Sequence, residues 1–110
     1  MLEEKKDALY EYLKNGKIED FNKTRSQGLN MDLVDANFRA CDLRCADLNG
    51  LDLSGAYFKN ADLRGLDLSQ CKLDGGSFLN AKVSGVYFPD CFSAEEIMLS
   101  LQHGTRIRRK

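Results

Sequence analysis

The chain has a single histidine, and that scarcity already removes several chemistries. His103 has no partner imidazole for a metal site, and no serine or cysteine is placed where it would activate one. It stands beside Gly104, a position where the helix dipole favours a solvated residue at a helix C-terminus. No glycine-rich loop of either common phosphate-binding type occurs. No apolar run approaches the roughly 18 residues needed to cross a bilayer. The opening Met1-Leu2-Glu3-Glu4-Lys5-Lys6 lacks the apolar stretch of a secretion signal, so a cytoplasmic location is expected and no membrane partner. Net charge is only −1 over 110 residues, which sets up no overall field toward nucleic acid or a charged surface. What remains is 43% hydrophobic and 30% charged, the balance of a soluble domain.

What is present is a repeat. From Met31 to Asp90 the chain divides into blocks of five. Starting at Ala36 they read ANFRA, CDLRC, ADLNG, LDLSG, AYFKN, ADLRG, LDLSQ, CKLDG, GSFLN and AKVSG, with MDLVD before and VYFPD after. The third residue is always large and apolar, running from Leu33 and Phe38 to Val83 and Phe88. The first is small or apolar, and the other positions are mostly polar. A period of five makes no face on a 3.6-residue helix and breaks the alternation of a long strand. It fits a chain that turns every five residues. The first and third residues then point inward from one short extended side. The frequent Gly, Asn and Asp at the fifth position suit the corner. Phe38, Phe58 and Phe78 recur every twenty residues, which stacks them if four blocks make one coil.

These blocks, ADLNG and ADLRG above all, resemble the A-(D/N)-L-x-x pattern of the pentapeptide-repeat family over about 60 of the 110 residues. The resemblance implies an all-β solenoid, a right-handed quadrilateral β-helix of about three coils. With strands about 4.8 Å apart the stack is about 14 Å tall. The resemblance also implies protein binding, the way several such proteins act, and the lack of a catalytic constellation makes an enzyme unexpected.

A short solenoid needs caps at both ends. The pattern predicts an N-terminal helical pair, at 2–14 with Leu2, Leu9 and Leu13 and at 17–27 with Ile18 and Phe21. Asn15-Gly16 closes the first in a left-handed cap. Ser93 and Glu96 form a capping box for a helix over 94–102, closed by Gly104. The expected organisation is a helical cap over 1–30, the repeat over 31–90, and a capping helix with basic tail over 91–110. Met98 and Leu99 lie off the capping side, so the chain is expected as a monomer or as a homodimer through a terminal helix.

Cys41 points inward in the repeat frame and Cys45 sits at a corner, so the two diverge; no metal or cofactor is expected. One more block would put Cys91 next to Cys71, within disulfide reach, though two stacked thiols are the expected state. Second-position residues form outward ladders: Asp32–Asp52–Lys72, Asn37–Tyr57–Ser77, Asp42–Asp62–Lys82 and Asp47–Asp67–Tyr87. Arg44 and Arg64 compensate the third. Tyr57 and Leu79 interrupt an otherwise polar face beside Lys59 and Arg39, a candidate protein-contact face. Arg106, Arg108, Arg109 and Lys110 form a basic tail that could meet an acidic partner.

The expected function is a non-catalytic protein–protein interaction module. The alternative, again from the resemblance, is a DNA mimic that binds topoisomerases. Length and charge disfavour it: residues 31–90 carry nine acids and six bases, net −3. A thiol-based activity would rest on Cys45 beside Arg44.

Overall fold

The corners come first. In the computed structural model, which describes residues 8–28 and 31–110, the N–H opening each block donates to the carbonyl of the third residue before it. Examples are Ala36 to Leu33 at 3.2 Å, Cys41 to Phe38 at 3.1 Å and Ala56 to Leu53 at 3.1 Å. The fifth residue, second inside the turn, has positive φ at every corner from Asp35 to Gly85 except Gln70. These are type II turns, which require the left-handed region at that place. Sequence explains this where the residue is Gly or Asn. It does not at Ala40 (φ 60°) and Cys45 (φ 69°), where an L side chain is held in αL by the fold around it.

Turning every five residues brings the chain back beside itself every twenty. Isolated parallel bridges join Asn37 to Tyr57, Tyr57 to Ser77, Asp42 to Asp62, Asp62 to Lys82, Asp52 to Lys72 and Asp67 to Tyr87. Each is a second-position pair of the expected ladders. The expected strands do not appear as continuous strands, since a side held between two turns has one residue free to pair on each edge.

The inward positions make the core. Third positions from Leu33 to Phe78 are buried, and Val83 and Phe88 in the last round are half-buried. Phe38 and Phe58 stack at 5.5 Å between centroids and 17° between planes; Phe58 and Phe78 stack at 4.9 Å and 10°. Tyr10 tilts against Phe38 at one end, and Phe88 meets Phe78 edge-on at the other.

Helices close the ends. α1 (Ala8–Lys14) and α2 (Ile18–Arg25) bury Leu9, Tyr10, Leu13 and Phe21. The stretch 2–7 of the predicted first helix, with Leu2, lies outside the described residues. Gly16 (φ 73°) stops α1, with Lys17 N–H donating to the Tyr12 carbonyl at 2.8 Å, as in a Schellman cap. α3 (Ala94–His103) is capped by Ser93, whose Oγ accepts from Glu96 N–H at 3.1 Å, and ends at Gly104 (φ 72°). Only half of the capping box forms there, because the Glu96 carboxylate turns to Arg108.

The tail is ordered. Arg106 pairs antiparallel with Ser77, and Ile107 exchanges two backbone hydrogen bonds with Gly75 and Gly76, both at 2.9 Å. Ile107 is buried, 1% exposed. One apolar residue between cations is the period-two signal of a short strand, which its charge masks in the sequence.

Candidate contact surfaces

Aromatic and aliphatic side chains fill the interior, so any chemistry belongs to the outside. The candidate face of Arg39, Tyr57, Lys59 and Leu79 forms as a stacked surface. Ala40 N–H donates to the Lys59 carbonyl at 2.8 Å and Asn60 N–H to the Leu79 carbonyl at 2.9 Å, which aligns the fourth positions. Tyr57 lies half-buried between Asn37 and Ser77 on the same side. The upper part of this face is covered. Leu79 is half-buried against Gly104, and Ser77 Oγ donates to the Gly104 carbonyl at 2.8 Å. Arg39 is exposed, while Tyr57, Lys59 and Leu79 are half-buried, Leu79 against the end of α3.

A second surface carries the carboxylate–guanidinium ladder. Arg44 binds Asp42 through both ends of its fork, at 2.9 and 2.8 Å, and its Nε lies 3.4 Å from Asp62 in the next round. Arg64 binds Asp62 in the same way, at 2.9 and 2.7 Å. The Arg64 hydrogen bonds hold the Asp62 carboxyl down at about 2, and Arg44 likewise lowers Asp42. These exposed pairs contribute little each. They neutralise the acids that the ladder would otherwise present.

The basic tail divides by partner. Arg106 donates to the Gly75 carbonyl at 2.8 Å; Arg108 pairs with Glu96 at 3.0 Å; Arg109 pairs with Asp74. Both carboxyls are lowered by those hydrogen bonds. Lys110 is exposed, and its N–H donates to the Cys91 carbonyl at 2.8 Å. The cations that could meet a partner thus also fasten the tail to its own chain.

A cavity of about 270 Å³ lies between the α1–α2 turn and the first round, lined by Gly16, Ile18, Asp42, Arg44 and Cys45. It holds one exposed thiol and an ion pair already satisfied, without the base a nucleophilic site needs. Cys71 and Cys91 are separate thiols; Cys71 donates to the Leu48 carbonyl at 3.1 Å, and burial raises its pKa. Among the described residues no three His, Cys, Asp or Glu side chains group as metal ligands. No helix among them is long and apolar enough to cross a membrane. Exposed apolar side chains are Tyr87 on the last round and Met98 and Leu99 on α3.

The sequence reading missed the residues that close the edges: Asn22 and Arg25 below, Ser100 and Ile107 above. No residue-type signal marks the first three, since each is an ordinary polar residue on a helix.

No curated protein and no solved structure matches the chain. A family model for pentapeptide repeats does, with eight copies over residues 30–60 and 52–88, and the chain accordingly belongs to the pentapeptide-repeat family.

Proposed function

We propose that this repeat protein is a non-catalytic, cytoplasmic protein–protein interaction module built as a short right-handed quadrilateral β-helix. In this reading about three coils over 31–90 stand between a helical cap at 1–30 and a capping helix with its tail at 91–110. Membership of the family supports a β-helix and a non-enzymatic role.

The observation that carries the functional reading is the filled interior. Phe38, Phe58 and Phe78 are each 0% exposed, so the interior of the coil has no room for a substrate and contact falls to its outside. The face of Tyr57, Lys59 and Arg39 is the binding surface we favour, because it combines an aromatic with two cations outside the ion-paired ladder. A homodimer through a terminal helix would use Met98 and Leu99. The alternative of a topoisomerase-binding DNA mimic is weakened by the guanidinium partners of Asp42 and Asp62, which leave no continuous negative stripe there.

The test is affinity capture from a lysate of the source organism with wild type beside a Tyr57→Glu/Lys59→Glu variant, both shown to be folded by circular dichroism. A protein held by wild type and lost by the variant supports this face. Equal capture by both moves the contact elsewhere. Inhibition of a gyrase supercoiling reaction would favour the mimic instead.

A further inference from the structure

The two ends of the repeat are not closed to the same extent. On the sides 36–40, 51–55, 56–60 and 61–65, three backbone groups of the upper edge bond to the round above. On the side 61–65, the Ala61 carbonyl accepts from Lys82 N–H, Leu63 N–H donates to the Lys82 carbonyl, and Gly65 N–H donates to the Ser84 carbonyl, all at 2.9 Å. On the top round the side 76–80 has its equivalents satisfied by the C-terminal segment. Gly76 accepts from Ile107, Phe78 donates to Ser100 Oγ, and Asn80 donates to the Leu101 carbonyl. The neighbouring side has no such cover. Among the described residues the Ala81 carbonyl and the Val83 and Gly85 N–H groups meet no partner.

The flanks of that edge carry a preference. Below it the ladder alternates, so Arg44 lies between Asp42 and Asp62. Arg64 has Asp62 but finds Lys82 above it in place of a carboxylate. Lys82 is exposed and forms no ion pair among the described residues, so the top of this side is locally cationic. On the inner side, Ala81, Val83 and Val86 are only partly buried. Met98 projects from the flank of α3 opposite to Glu96, the residue tied to the tail, and is 48% exposed.

We propose that the upper edge of Ala81–Gly85 is a strand-addition site for an extended segment of a partner protein in which apolar and acidic residues alternate. The unpaired carbonyl and N–H groups supply main-chain bonds. Val83 and Val86 receive the apolar side chains, and Lys82 with Arg64 receives the carboxylates. The chain shows this mode on itself, where the tail adds antiparallel beside Ser77 and buries Ile107. The proposal rests on the interaction-module reading but uses a different side from Tyr57 and Lys59.

The probe is a blocked synthetic peptide of alternating valine and aspartate, with valine–lysine as control, titrated into the full chain. The aspartate peptide binds and slows hydrogen exchange at the Val83 and Gly85 amides. Lys82→Glu weakens it by about tenfold or more, whereas Lys23→Glu, on α2 at the opposite end, leaves it unchanged. Equal binding of the lysine peptide, unchanged affinity in Lys82→Glu, or protection at other amides would overturn the proposal. So would a concentration-dependent dimer that protects Val83 and Gly85 without peptide, since a second copy would then hold the edge. Loss of peptide binding with lysate capture through Tyr57 intact rejects this edge alone; loss of capture with peptide binding intact rejects only the Tyr57 face.

Discussion

The side-chain amide of Asn22 stands where the backbone of another round would be beside Asp47. Its Oδ1 accepts from Asp47 N–H at 2.7 Å, and its Nδ2 donates to the Cys45 carbonyl at 2.9 Å. A carboxamide has the donor and acceptor of a peptide group, so one side chain on α2 terminates the lower edge without a strand. Asn22→Ala therefore costs about 1–2 kcal/mol, two modest hydrogen bonds at an exposed edge, read by urea unfolding. Asn22→Asp keeps the acceptor, loses the donor and falls between the two. Equal stability of all three chains would show that water replaces the amide without cost.

At the opposite end, Ser100 Oγ accepts from Phe78 N–H at 2.9 Å and is buried. Ser100→Ala leaves that amide without an acceptor away from water. It should destabilise by about 1–3 kcal/mol, more than an exposed serine in the same helix.

Phe58 is the middle of the aromatic stack, with a neighbour on each side. Phe58→Ala removes it and should cost about 3–5 kcal/mol. Phe58→Leu keeps most of the volume and should cost well under half of that. A stable, folded Phe58→Ala chain would be inconsistent with the twenty-residue register.

The corners at Ala40 and Cys45 hold αL conformations that an L side chain resists. Ala40→Gly and Cys45→Gly relieve that strain at the cost of a more flexible unfolded chain, and the balance favours the variants by about 0.5–1 kcal/mol. Gly55 answers in the other direction. Its φ is 72°, and a Cβ there would strike the Asp35 carboxylate, so Gly55→Ala lowers the melting temperature.

The tail is tied by two carboxylates whose folded pKa values lie below their ordinary ones, Glu96 through Arg108 and Asp74 through Arg109. A depressed folded pKa gives stability present above the unfolded value and lost as pH falls through the folded one. The Ile107 and Lys110 amides should then lose protection, measured against their intrinsic exchange rates, on acidification below about pH 4.5 and before the core amides do. Asp62 acts over a lower window, between its ordinary 3.8 and about 2. Glu96→Gln should lower the protection of the tail amides at neutrality and make that protection less dependent on pH.

Residue types alone determined much of this protein. Apolar first and third positions in a five-residue period place Leu33 to Phe78 inside and predict the twenty-residue stack, because side-chain direction in an extended unit follows from position. Gly and Asn at the fifth place mark most corners for the same local reason. Ser93 and Gly104 bound α3 as a cap pair should. Tertiary structure decided what local chemistry leaves open. It places Ala40 and Cys45 in αL against their own preference, since closure of each round outweighs strain at one residue. It sets the end of α3 against Leu79, turns Glu96 from its capping box to Arg108, and pairs a basic tail antiparallel with Ser77. It also leaves the edge at Val83 and Gly85 unpaired while the edge at Phe78 and Asn80 is closed. Which backbone groups remain available depends on where distant segments come to rest, and no five-residue pattern encodes that.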